Sequence, residues 1–207
     1  MAVNNDLDMR WDPAKPALLK NLRLSTDWQA DFRVACSYNT WVSFLFNAKD
    51  PDDYSCIMIW YGTAATAPYP MTTVDGGVPT IVSWTTRTDA NAAAVATLGN
   101  SLWVRVRCEG DCVTVRESQT QAGLDTASVC LTATSATVPM DGGFFGFLNN
   151  ASDTIADDLV IKRKVGANGV TEYEEKFTTP KSNTTSIDKP TCDAAGSGFP
   201  LTAGGAG

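Results

Sequence analysis

The sequence predicts an all-β fold, an antiparallel two-sheet jelly-roll sandwich with one short helix at most. Three observations carry that expectation. Roughly ten apolar or alternating runs of strand length are separated by Gly-, Asp- and Pro-containing turns. The stretch SLWVRVRCEGDCVTVRES, Ser101 to Ser118, alternates apolar and polar residues on both sides of a Gly-Asp pair, the pattern of a β-hairpin with one dry and one wet face. Only DANAAAVATLG, Asp89 to Gly99, offers a helix, with Asp89 as its N-cap and Gly99 as its stop.

The elements follow in order. Residues 1–17 carry Pro13 and Pro16 and read as an extended lead-in, and residues 18–180 form the jelly-roll domain. Asp27 to Cys36 is a strand with Trp28, Ala30, Phe32 and Val34 on one face. Thr40 to Asn47 (TWVSFLFN) and Ser55 to Tyr61 (SCIMIWY) are apolar at nearly every position, as strands covered on both faces are. Gly62 to Pro79 shifts to Gly, Ala, Thr and Pro and reads as a long surface loop holding Tyr69. Thr80 to Thr86 is a strand, and the hairpin of residues 101–118 follows the helical stretch.

In that hairpin Val104, Val106, Val113 and Val115 face inward, while Trp103, Arg105, Arg107, Thr114 and Arg116 face outward. Ser128 to Thr134, the run GGFFGFLNN, Asp157 to Lys164 and Glu172 to Thr178 complete the strands, with Leu159 and Ile161 inward. Residues 181–207 are rich in Ser, Thr, Gly, Ala and Pro and read as a flexible tail or linker.

Composition bounds the function. A formal charge of −7 and a pI near 4.5 disfavour nucleic acid as a partner, because a phosphate-binding surface needs a cationic excess. The absence of histidine removes the usual general base and the commonest metal ligand at once. No segment approaches the roughly 20 apolar residues of a membrane span, so no membrane insertion is expected. Six cysteines, without a Cys-x-x-Cys pair, favour disulfides in an oxidising compartment over a zinc site. The opening residues lack a secretory signal pattern, so the chain reads as a domain of a longer protein, at the cell surface or outside the cell.

Three pieces, NAKDPDDYSCIMIWY, SLWVRVRCEGDCVTVRE and GGFFGFLNNASDTIADDLVIKR, occur in an order similar to that of the concanavalin A-like, laminin G-like jelly-roll superfamily. The resemblance spans roughly residues 27–178. It implies two stacked antiparallel sheets, a sugar or protein ligand on the concave face or loop rim, and in some members a calcium ion. In the tail, TCDAAG resembles the opening of the Tyr-Asp repeats of large bacterial surface proteins, with Cys192 in place of the tyrosine.

Three site hypotheses follow. A sugar ring packs its C–H face on a flat indole and hydrogen-bonds at its edge, so Trp103 with Arg105, Arg107 and Arg116 forms the expected ligand-binding face, and Tyr69 a contact on the rim. Arginines there suit a carboxylated or sulfated polysaccharide, or a glycoprotein glycan; the competing reading is that they pair with Asp and Glu on neighbouring strands. Trp41, Trp60 and Trp84 read as core. For calcium, Asn149, Asn150, Asp153 and Asp157 form the preferred oxygen cluster, ahead of Asp50, Asp52 and Asp53.

Cys108 and Cys112 flank the turn: a three-residue loop would let them bond, whereas the valine pattern prefers a two-residue loop that sends them to opposite faces. Catalysis is not expected, because the paired-carboxylate pattern of jelly-roll glycosidases is missing and only a Tyr-dependent polysaccharide lyase survives the lack of histidine. The expected function is a non-catalytic carbohydrate-binding or adhesion module. A structural domain that self-associates through edge strands or its ends is the alternative.

Overall fold

The computed structural model describes residues 17–24, 27–35, 40–50, 52–61, 68–86, 102–140, 142–149, 155–165, 169–175 and 201–203. Within them lie thirteen strands: β1 (Ala17–Leu24), β2 (Trp28–Ala35), β3 (Thr40–Asp50), β4 (Asp53–Tyr61), β5 (Pro68–Asp75), β6 (Val78–Thr86), β7 (Leu102–Glu109), β8 (Cys112–Ser118), β9 (Val129–Thr134), β10 (Gly143–Asn149), β11 (Ile155–Val165), β12 (Gly169–Glu175) and β13 (Leu201–Ala203). A single 3-10 turn, Ala122–Asp125, follows β8. The helix expected over Asp89 to Gly99 lies outside the described residues.

Two antiparallel sheets are stacked. One has the order β13-β1-β10-β3-β4-β5-β6 and the other β12-β11-β2-β7-β8-β9. Inward residues of both sheets make the core. Trp28 and Phe32 come from β2, Phe44 and Phe46 from β3, and Phe145 and Phe147 from β10, and all six are fully buried. Phe32 stacks on Phe44 at 4.7 Å between ring centroids, and Trp28 meets Phe145 edge-on at 4.8 Å. The alternation expected for β2, β7 and β8 is the one observed, with Val104, Val106, Val113 and Val115 buried.

Some expectations need correction. The long loop of residues 62–79 contains β5, which pairs with β6 through the Gly76-Gly77 turn and with β4 on its other side. Trp41 and Trp60, read as core, lie opposite each other and half-buried on the outer face of the seven-stranded sheet rather than between the sheets, although for Trp41 the expected core packing holds. There Trp41 packs on a second apolar cluster of Leu45, Ala48, Cys56, Phe144 and Leu148. The side chain of Trp84 lies outside the described residues.

Candidate functional site

The outer face of the six-stranded sheet is organised by β7 and β8. Their register runs from Trp103 opposite Ser118 to Glu109 opposite Cys112, which leaves Gly110 and Asp111 as a two-residue turn. Gly110 adopts φ +58°, the conformation the first position of a type II′ turn requires and the one a side chain disfavours. The register therefore puts Cys108 inside and half-buried Cys112 on the outer face, so the local disulfide does not form. No disulfide joins any two of Cys56, Cys108, Cys112 and Cys130, while Cys36 and Cys192 lie outside the described residues.

On the other side of β7, strand β2 places Gln29 opposite Arg107, Asp31 opposite Arg105 and Arg33 opposite Trp103. Arg105 is the centre of this surface. Its Nε and Nη2 donate to the two oxygens of Asp31 at 2.7 and 2.8 Å, a bidentate pair. Asp31 is buried, its side chain 5% exposed, and it also accepts from Gln29 Nε2 at 3.2 Å. The third guanidinium nitrogen, Nη1, donates to Asp125 on the 3-10 turn at 2.8 Å. Hydrogen bonding to Asp31, opposed by burial, holds the Arg105 guanidinium charged above its ordinary range. Hydrogen bonding to Arg105 in turn keeps the Asp125 carboxyl below its usual value.

Arg116 Nη1 donates to the Ala127 carbonyl at 2.9 Å, and Arg107 pairs with Glu109 at 2.9 Å in an exposed contact. Each of the three arginines thus has an intramolecular partner, but only Arg105 pairs with an acid on a neighbouring strand, as the competing reading expects; Arg107 pairs within β7 and Arg116 bonds a backbone carbonyl. They nonetheless surround a depression of about 400 Å³, lined by Gln29, Arg105, Arg107, Glu109, Cys112, Thr114, Arg116, Asp125 and Val129.

The sequence brings three of its expected ligand residues into this depression: Arg105, Arg107 and Arg116. Trp103 is half-buried on the same face, but it is not among the lining residues. Tyr69 is a correction of place. It belongs to β5, opposite Thr85, on the other sheet rather than on a loop rim.

Of the expected calcium set, Asn149 ends β10 opposite Val42, and Asp157 lies on β11 opposite Arg33 in the other sheet. Asn150 and Asp153 lie outside the described residues. Asp50, Asp52 and Asp53 serve turns: the Asp52 amide donates to Asp50 Oδ1 at 2.8 Å, and Gly76 N donates to Asp53 Oδ1 at 3.1 Å. Among the described residues no group of three or more Cys, Asp or Glu is arranged to hold a metal ion.

Asp31, Gln29 and Asp125 are the residues that sequence reasoning missed. Alternation in WQADFRVA already sends Gln29 and Asp31 outward, but which strand they face depends on the β2–β7 pairing, 74 residues apart for Asp31 and Arg105. Asp125 carried no local signal.

No protein-family model matches the chain, and no curated protein sequence matches it. Among solved structures, lactose- and MES-liganded congerin II gives a TM-score of 0.50 at 9% identity, covering 70% of this chain and 98% of that one. The carbohydrate-binding module CBM66 from Bacillus subtilis gives 0.48 at 12% identity, covering 67% and 74%. At such identities the likeness to congerin II bears on architecture, and it agrees with the strand order: the chain is a concanavalin-like jelly-roll sandwich of two antiparallel sheets.

Proposed function

We propose that this chain is a non-catalytic, extracellular carbohydrate-binding or adhesion module whose glycan lies on the outer face of the six-stranded sheet. The observation that carries the reading is the depression around Arg105, Arg107 and Arg116, with Gln29 and Thr114 adding hydrogen-bonding groups. Convergent donors in a shallow trough suit a polyhydroxylated chain better than a compact apolar ligand. The fold supports it, since congerin II holds lactose on the same architecture. Arg107, half-exposed and tied to an equally exposed glutamate, costs little to redirect toward a ligand. A calcium ion at Asn149, Asn150, Asp153 and Asp157 remains part of the proposal, and glycan binding that survives EDTA would argue against it.

An array of neutral and acidic polysaccharides and glycoprotein glycans tests the main reading. We expect retention on at least one class, weakened severalfold by Arg107→Ala together with Arg116→Ala. Silence across the array would overturn it.

A second reading, a structural domain of a surface or filamentous protein, is favoured by one observation. β6 is the end strand of its sheet, carries no charge over VPTIVSWTT, and exposes Val78 at 66% and Ile81 at 63%. An uncharged edge strand is a template for pairing with another chain, although Pro79 blunts it. Light scattering across a dilution series distinguishes the two readings, because assembly through β6 gives a mass that rises with concentration.

A further inference from the structure

The two carboxylates on Arg105 are not equivalent. Asp31 is 5% exposed, doubly hydrogen-bonded by Arg105 and held by Gln29, so it fixes the plane of the guanidinium before any ligand arrives. Asp125 is 73% exposed and touches only the remaining Nη1 edge, which faces the depression. Its turn is anchored independently of that contact: Leu124 beside it is fully buried, and Arg116 holds the Ala127 carbonyl two residues on. The Asp125 side chain can therefore rotate off Arg105 while the turn stays in place. Arg116 lines the same depression, and with Lys162 it weakly favours the charged form of this exposed carboxylate.

We infer that Asp125 is an internal stand-in for a ligand carboxylate: the Nη1 edge of Arg105 is a subsite for the carboxylate of a uronic-acid sugar, kept closed by the chain's own acid. This rests on the glycan reading above and deepens it, naming the sugar class and a device that restrains its binding. A planar carboxylate from the ligand would take the hydrogen bond that Asp125 gives up, with no net loss of charge pairing at Arg105. Binding then competes with an intramolecular contact, and the apparent affinity is lowered by the fraction of molecules in which the contact is made. A purely structural ion pair gives no such gain, because removing it uncovers no site that a ligand carboxylate uses.

Calorimetric titration with an oligogalacturonate, and with its fully methyl-esterified counterpart, separates these outcomes for the wild type, D125A and D125N. The stand-in predicts that both variants bind the acid form roughly two- to fivefold tighter than wild type, the range an exposed ion pair supports, and that the ester gains by a smaller factor, because its neutral carbonyl takes the freed hydrogen bond without the charge. Weaker or unchanged binding of the acid form by both variants overturns it. If the wild type binds acid and ester equally and neither variant alters that, glycan binding stands and the carboxylate subsite falls. If no form binds either probe while the wild type is retained on neutral glycans, the uronate subsite again falls and the module survives. D125N preserves the shape of the side chain, and a thermal melt of each variant confirms that it is folded.

Discussion

Arg105 is held on two sides by acids, one buried and one exposed, and the buried contact decides its structural weight. Taking away one member of a buried pair leaves the other charged and poorly solvated, so Arg105→Gln should lower the unfolding free energy by about 3 kcal/mol in a urea titration. Replacing both partners, as Asp31→Leu with Arg105→Met, should restore most of that loss, because it removes the charge that would otherwise be stranded. Alkali tests two titratable groups of the opposite sheet, buried Cys56 and half-buried Tyr54. Burial pushes the Cys56 thiol up from 9.0 to about 12, and burial with nearby charge from Cys56 and Asp52 raises Tyr54 from 10.0 to about 12. Both groups hold their protons more tightly folded than unfolded. The stability they contribute is complete below pH 9 and declines as pH climbs toward 12, so the thermal midpoint should fall across that window. Cys56→Ser with Tyr54→Phe should flatten the decline. The inward and outward roles of residues 102–118 were legible from period-2 alternation alone, yet the partners of the arginines were not, because a side chain's cross-strand neighbour lies many residues away.

At the level of elements, the β7–β8 hairpin was the most readable part of the chain, since Gly110 sets a two-residue turn and the turn sets the register. Non-reducing mass spectrometry should accordingly find no Cys108 to Cys112 bond in the folded protein. Strand β5 was hidden by Pro68 and Pro70, which ordinarily exclude a central strand. Its pairing with β4 runs only from Met71 to Val74, so both prolines fall where β5 is bonded to β6 alone and no second ladder is interrupted. For β1 (ALLKNLRL), Pro16 and Ser25-Thr26-Asp27 bracket the strand, but its apolar residues do not alternate strictly, and it closes on β10 from more than a hundred residues away. The β6 edge carries its own prediction: if self-association occurs, Ile81→Lys should abolish it while leaving glycan retention intact, since a charge on the edge opposes strand addition.

The whole molecule is a single aromatic core between two sheets whose outer faces differ. Phe32 touches both Phe44 and Phe147, at 4.7 and 5.5 Å between centroids, and so joins the sheets. Phe32→Ala should cost about 3 to 5 kcal/mol in the same urea titration. Outside that core, the six-stranded sheet presents arginines around a trough, whereas on the seven-stranded sheet Trp41 and Trp60 lie half-buried, Trp41 against the buried cluster of Leu45, Ala48, Cys56, Phe144 and Leu148. The glycan is expected on the first of these faces. An amide-resolved NMR titration with a glycan retained on the array tests that placement most directly. The shifts should cluster on Gln29, Arg105, Arg107, Thr114 and Arg116, with Asp125 following as its side chain leaves Arg105. Shifts confined to the strands around Trp41 and Trp60, with the arginine face unmoved, would contradict it.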